Sequence, residues 1–322
     1  MAVREMPMAK RQRCGPTWMD QLSECAAEAR EQLCSAVQSR VDAVLTAQCA
    51  LETTSTLRLL SIGSGDGALE AELVRRTKSR RKMHVTIVEP SAERADEAED
   101  ALRAAGVHTF RTVRKTFARS IPTLLGKPYD IVLLSHSLYF LGECDATRLV
   151  ALAEARKLAT AGGRVIVILA SELGVGGLMT ALCEEQARHP STSDGGVRVE
   201  VPTQGVPVPP PRPFVAEELL SALKRAPLSD LSDEFAHFCK AAPAALVRWH
   251  IDLNLRGVRD DEATLCCALA FLLDMDAETF AAQPAGVMRN VTRYFRDAIG
   301  AEDGLLRDQT LLLEWTDGRS GL

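Results

Sequence analysis

Long hydrophobic runs are the first thing this chain lacks. Nowhere in its 322 residues does an apolar stretch approach the roughly 20 residues needed to span a bilayer. A membrane-spanning helix is therefore excluded, and no membrane partner is expected. Metal-ligand spacing is missing too: the nine cysteines include no C-x-x-C pair, and the six histidines are scattered. We expect no metal, and reduced thiols of the kind found in cytoplasmic proteins. There is no basic excess either, since 38 Lys and Arg face 43 Asp and Glu for a net charge of −5. That balance argues against a broad nucleic-acid surface and favours a small-molecule partner. Residues 1–16 carry Arg4, Lys10, Arg11 and Arg13 but no following apolar core, so they read as a disordered basic tail rather than a secretory signal.

What is present is concentrated between Leu57 and Pro90. The run Leu57-Arg58-Leu59-Leu60-Ser61-Ile62 breaks into Gly63-Ser64-Gly65-Asp66-Gly67, and Ala68 to Val74 follows with apolar residues at helical spacing. This reads as strand, tight turn, helix. Three glycines at alternate positions allow positive φ and let a ligand lie against the backbone at a helix N-terminus. The next apolar run, His84 to Val88, ends in Glu89-Pro90. A carboxylate at the tip of a second parallel strand suits the two hydroxyls of a ribose, so a nucleoside-bearing ligand is expected.

Further along, Ser91 to Ala105 reads as a charged helix, Val107 to Val113 as a weak third strand and Tyr129 to Leu134 as a strong fourth. Ala146 to Thr160 reads as a helix closed by Gly162-Gly163, and Arg164 to Leu169 as the fifth strand. Alternating strands and helices imply a doubly wound sheet whose ligands bind beyond the carboxyl ends of the strands. Leu178 to Arg188, Phe214 to Arg225 and Ala263 to Asp274 read as helices. Leu246 to Leu255 and Asp308 to Trp315 read as two late strands able to pair. Pro190 to Pro213 is too rich in proline for regular structure. Trp18 to Ala50 reads as one or two amphipathic helices ahead of the first strand.

The G-x-G-x-G turn, with Leu60-Ser61-Ile62-Gly63 and Val88-Glu89-Pro90-Ser91-Ala92-Glu93, resembles class I S-adenosylmethionine-dependent methyltransferases, and more narrowly the histamine N-methyltransferase family. Many members of the broad class have an acid at the place of Ser61. The resemblance implies an α/β fold with a doubly wound, mostly parallel, Rossmann-like seven-stranded sheet, N-terminal helices and a helical or loop insertion over the substrate site. It implies one domain over 17–322: a helical cap at 17–50, a cofactor-binding core at 57–170, helices and a Pro-rich insertion at 171–245, and C-terminal strands and helices at 246–322.

The implied cofactor is S-adenosyl-L-methionine, with S-adenosyl-L-homocysteine as product. Its expected contacts are Gly63, Ser64, Gly65, Gly67, Glu89, Pro90, Arg94, Thr116 and Ser135. The family's amine-binding acid falls at Glu31, with Glu28 as a near alternative. Its glutamine after the fourth strand is replaced by His136, beside Tyr139, and Gln309 stands for its asparagine. His136 is the candidate catalytic base, since an imidazole titrates near neutral pH. The expectation is a monomeric, small-molecule N-methyltransferase, with S- or O-methylation as the alternative.

Two other readings compete. A nicotinamide-dependent oxidoreductase predicts a Tyr-x-x-x-Lys dyad, yet Tyr129, Tyr139 and Tyr294 all lack a lysine four residues on. A non-catalytic binding scaffold has the intact glycines and Glu89 against it. The Asn/Asp-Pro-Pro-Tyr signature of nucleic-acid amino methyltransferases is absent at Ser135 to Leu138. Ala170-Ser171-Glu172 does not supply the metal ligands of catechol-type enzymes.

Overall fold

Parallel strands buried on both faces require continuous apolar runs, and the centre of the molecule is made of them. The computed structural model describes residues 16–50, 56–77, 82–107, 109–142, 144–188, 215–225, 243, 245–255, 258–272, 280–300 and 303–316. In chain order the elements are α1 (Pro16–Ala50), β1 (Leu57–Ile62), α2 (Ala68–Thr77), β2 (Met83–Val88), α3 (Ala92–Ala104), β3 (Phe110–Val113), α4 (Phe117–Leu124), β4 (Tyr129–Ser135) and a 3-10 turn (Leu138–Phe140). Then come α5 (Asp145–Lys157), β5 (Ala159–Ala170), α6 (Val175–Arg188), α7 (Ala216–Arg225), β6 (Ala245–Asn254), α8 (Glu262–Leu272), α9 (Ala285–Ala298) and β7 (Leu305–Thr316).

The seven strands run in the order β3-β2-β1-β4-β5-β7-β6. The order reverses between β1 and β4, which opens the crevice where doubly wound sheets bind ligands. The expectation of a mostly parallel sheet is corrected, because the sheet is mixed. Parallel pairing joins β1 to β2, β1 to β4, β2 to β3 and β4 to β5. The two late strands lie side by side at the far edge, as expected of a pairing couple.

Two compact units make up the chain. One takes in 30–169, 218–247 and 311–322, the other 170–217 and 248–310 with the start of α1. In the first, Leu59, Leu60, Ile62, Val85, Ile87, Ile131 to Leu134 and Val165 to Leu169 are all buried. At the amino ends of its strands Glu314, itself buried, accepts from Arg40 Nε at 3.1 Å and pairs with Arg164. In the second unit α6 packs on α9 around Leu178, Leu182, Leu269, Val287, Val291 and Phe295. There Asp308 accepts the Val175 N–H at 3.0 Å and caps α6.

Several boundaries differ from the sequence reading. Gly162 and Gly163 do not close a helix: α5 ends at Lys157, and both glycines lie within β5. Pairing jumps there from Tyr129 with Ala159 to Ile131 with Arg164. The strand loops out, and Gly162 takes φ +79° to do so. Trp18 to Ala50, read as one or two helices, forms one. Helices α4 and α9 were not foreseen. All of Pro190 to Pro213, the core of the expected insertion, and residues 1–15 of the tail lie outside the described residues.

Candidate active site

The turn between β1 and α2 uses its three glycines in two different ways. All have positive φ: 70° at Gly63, 58° at Gly65 and 69° at Gly67. A Cβ on Gly63 would stand 2.5 Å from Ser137 Cβ, and one on Gly67 would stand 2.8 Å from the Ala98 backbone. These two positions are closed by packing. Gly65 differs, because a Cβ there would meet nothing within 4 Å, so it faces open space. The turn is tied down by Gly63 N–H to Val88 O at 2.7 Å and Gly67 N–H to Ser64 O at 3.1 Å.

Glu89 holds the turn from the tip of β2. Its Oε2 accepts the Gly65 N–H at 3.0 Å, and its Oε1 accepts the Ser91 N–H at 2.9 Å. Each carboxylate oxygen keeps a second lone pair for a ligand hydroxyl. Ser91 in turn caps α3, accepting the Arg94 N–H at 3.3 Å.

Beyond β4 the chain takes an unusual step. His136 has φ +51°, the one positive φ outside glycine among the described residues. Strain of this kind collects at functional sites. The step is fixed by His136 N–H to Ile168 O at 2.9 Å. Nδ1 of its ring lies 3.1 Å from the Tyr139 hydroxyl, and the two rings stack at 6.2 Å. Tyr139 meets Phe140 edge-on, and the Phe140 side chain is exposed. Burial of the imidazole pushes its pKa down to about 3, so His136 is neutral at physiological pH.

Residues 60–167, the span that holds the turn, Glu89 and His136, match a family described as a methyltransferase domain. This stretch is a methyltransferase domain. It makes the protein an S-adenosylmethionine-dependent enzyme. Solved structures similar to the chain include a methyltransferase candidate from Bacillus halodurans, with TM-score 0.48 and 10% identity over 85% of this chain and 98% of that one. Another is an S-adenosylmethionine-dependent methyltransferase from Geobacter sulfurreducens in complex with S-adenosyl-L-homocysteine, with TM-score 0.42 and 14% identity over 84% and 89%. No curated protein matches the chain.

The methyltransferase domain's own residues fit that cofactor. The hydroxyls of Ser64 and Ser137 are buried without a hydrogen-bond partner among the described residues, and both border the turn, which leaves donors for a polar ligand. Of the other expected contacts, Ser135 ends β4 half-buried, Thr116 stands exposed at the N-cap of α4 without capping it, and Pro90 is exposed. Arg94 extends from the first turn of α3 and pairs with Glu97.

The acceptor-side candidates are not all brought together. His136 and Tyr139 are in contact. Glu31 is corrected: its carboxylate is exposed on α1 and bound by Arg76 at 2.5 Å and by Ser35 at 3.1 Å. Arg76 lies at the far end of α2, about 12 Å of helix rise from the turn, so the structure does not bring Glu31 to the site. Glu28 is likewise exposed on α1. Gln309 belongs to the other unit, buried on β7, with its carbonyl accepting the Ser171 N–H at 2.9 Å. The sequence reading missed Ser137 and Glu70. Ser137 could have been suspected from its place two residues past an apolar strand, while nothing local marks Glu70 as buried.

Proposed function

We propose that the enzyme methylates a small-molecule amine, in the manner of the histamine-methylating family that its motifs resemble. Bound S-adenosylmethionine supplies the methyl group as a sulfonium electrophile, so the protein's share is alignment and exclusion of water. Gly65 leaves room for the cofactor against the backbone, Glu89 offers lone pairs to its ribose hydroxyls, and Ser64 and Ser137 offer hydroxyls.

The observation that carries the acceptor assignment is the neutral, Tyr139-bonded imidazole of His136 beyond the carboxyl end of β4. A ring this reluctant to take a proton is a poor general base, so the acceptor must arrive already nucleophilic. A free amine does so. An alcohol does not. His136 then acts as a hydrogen-bonding wall that orients the amine, with Tyr139 fixing its ring.

Candidate amines, thiols and alcohols are to be screened with the cofactor by mass spectrometry. The methylation rate should rise with pH along the acceptor amine's own ionisation. His136→Gln should alter KM and acceptor preference while keeping that profile. An ionisation near neutral pH that vanishes in His136→Gln would return the role of base to His136 and overturn this reading.

A further inference from the structure

A second buried acid of the turn takes no part in the chemistry above. Glu70 stands in the first turn of α2, directly after Gly67, and only 1% of its surface is exposed. Its Oε1 accepts the Ser61 hydroxyl at 2.5 Å. Its Oε2 is buried with no hydrogen-bond partner among the described residues. The charges acting on it are of one sign, Asp66 from the turn and Glu89 from the tip of β2. From β1 it meets the neutral Ser61, and α3 approaches the turn through Ala98. Burial, partly offset by the Ser61 hydrogen bond, pushes its pKa up to about 7. Three carboxyl groups around one turn, the deepest with an unsatisfied oxygen, make a site that lacks positive charge.

We propose that Glu70 is a specificity-determining residue, through which the turn favours the positively charged methyl donor over its uncharged-sulfur product. S-adenosylmethionine and S-adenosylhomocysteine share nucleoside and amino acid parts, and differ in one methyl group and the positive charge on sulfur. Only the donor brings that charge into the field of the carboxylate and favours its ionised form. A nearby opposite charge lowers a carboxyl pKa by about 1 to 3 units, and each unit is tenfold in affinity. The donor's advantage therefore grows as Glu70 ionises, which helps product leave after transfer. The inference rests on the S-adenosylmethionine assignment.

Titration calorimetry on the full chain tests it, with S-adenosylmethionine and S-adenosylhomocysteine each measured at pH 5.5, 6.5 and 7.5. The ratio of the two Kd values cancels what the ligands share. In the wild type the preference for donor should grow about tenfold or more across this range. In Glu70→Gln the ratio should not change with pH. In Ser61→Ala, which removes a donor to the ionised carboxylate, the rise should move to higher pH. A Glu70→Gln protein that keeps the wild-type pH dependence, or a wild type that binds both ligands with a flat ratio, overturns the role of Glu70 alone. Binding of neither ligand by folded wild type overturns the cofactor assignment with it.

Discussion

Glu89 does two jobs with one carboxylate, and this decides what its loss should do. Both oxygens already accept backbone N–H groups, from Gly65 and Ser91, so Glu89→Ala removes a clamp on the turn as well as a ribose acceptor. Hydrogen bonds to a charged group contribute about 1.5 to 3 kcal/mol each. Affinity for S-adenosylhomocysteine should fall at least tenfold by calorimetry. Unchanged affinity in a folded Glu89→Ala protein would show that the ribose lies elsewhere. The glycines separate binding from folding. Gly65→Val puts a branched side chain into open space at φ +58°, so it should abolish binding for a fold cost of about 1 to 2 kcal/mol. Gly67→Ala drives a methyl group to within 2.8 Å of the Ala98 backbone and should lower the melting temperature more. The reverse ranking in melting temperature would mean that α3 yields where the packing says it cannot.

Among the elements, the strands were legible and the joints between them were not. Leu57 to Ile62, His84 to Val88 and Tyr129 to Leu134 are apolar runs whose burial follows from composition alone, and each forms a strand within one or two residues of its expected bounds. Gly162-Gly163 misled because a glycine pair serves a looped-out strand as well as a helix stop. Helix α9 was overlooked although Val287, Val291 and Phe295 recur every four residues, and all three are buried. Helix α4 carries Pro122 inside it, which argues against a helix when read locally. Of the site, the glycines and Glu89 were legible because their chemistry is local. Glu31 was misplaced because counting back along a 35-residue helix fixes neither its start nor its docking. One contact that docks α1 is Arg40 on Glu314, a partner 274 residues away. Glu314→Ala leaves two partly exposed arginines facing each other at the amino ends of the strands. Breaking such a buried pair costs up to about 3 to 5 kcal/mol, here moderated by solvent at the arginines. Urea unfolding should give a loss of about 2 kcal/mol or more, and no measurable loss would mean that α1 is held by its apolar face and its contacts with α2 instead.

For the molecule as a whole, the site imposes two opposed proton linkages. Glu70 has its pKa raised from an ordinary 4.5 to about 7. Its contribution to stability is therefore fully present below 4.5 and is lost as pH rises towards 7. His136 has its pKa lowered from an ordinary 6.5 to about 3. Its contribution is present above 6.5 and is lost as pH falls towards 3. Between pH 4.5 and 6.5 the native state holds about one proton more than the unfolded chain at Glu70, and about one fewer at His136. The two slopes oppose each other, each of up to about 1.4 kcal/mol per pH unit. Removing either group should expose the other. Relative to wild type, Glu70→Gln should gain a stability curve that climbs with pH across this window, and His136→Gln one that falls. The double variant should run parallel to wild type again. Urea midpoints at half-unit pH steps measure all four proteins under one set of conditions. Single variants that stay parallel to wild type would mean that neither side chain is enclosed as the structure has it, and would remove both the neutral imidazole and the high-pKa acid from the account of the site.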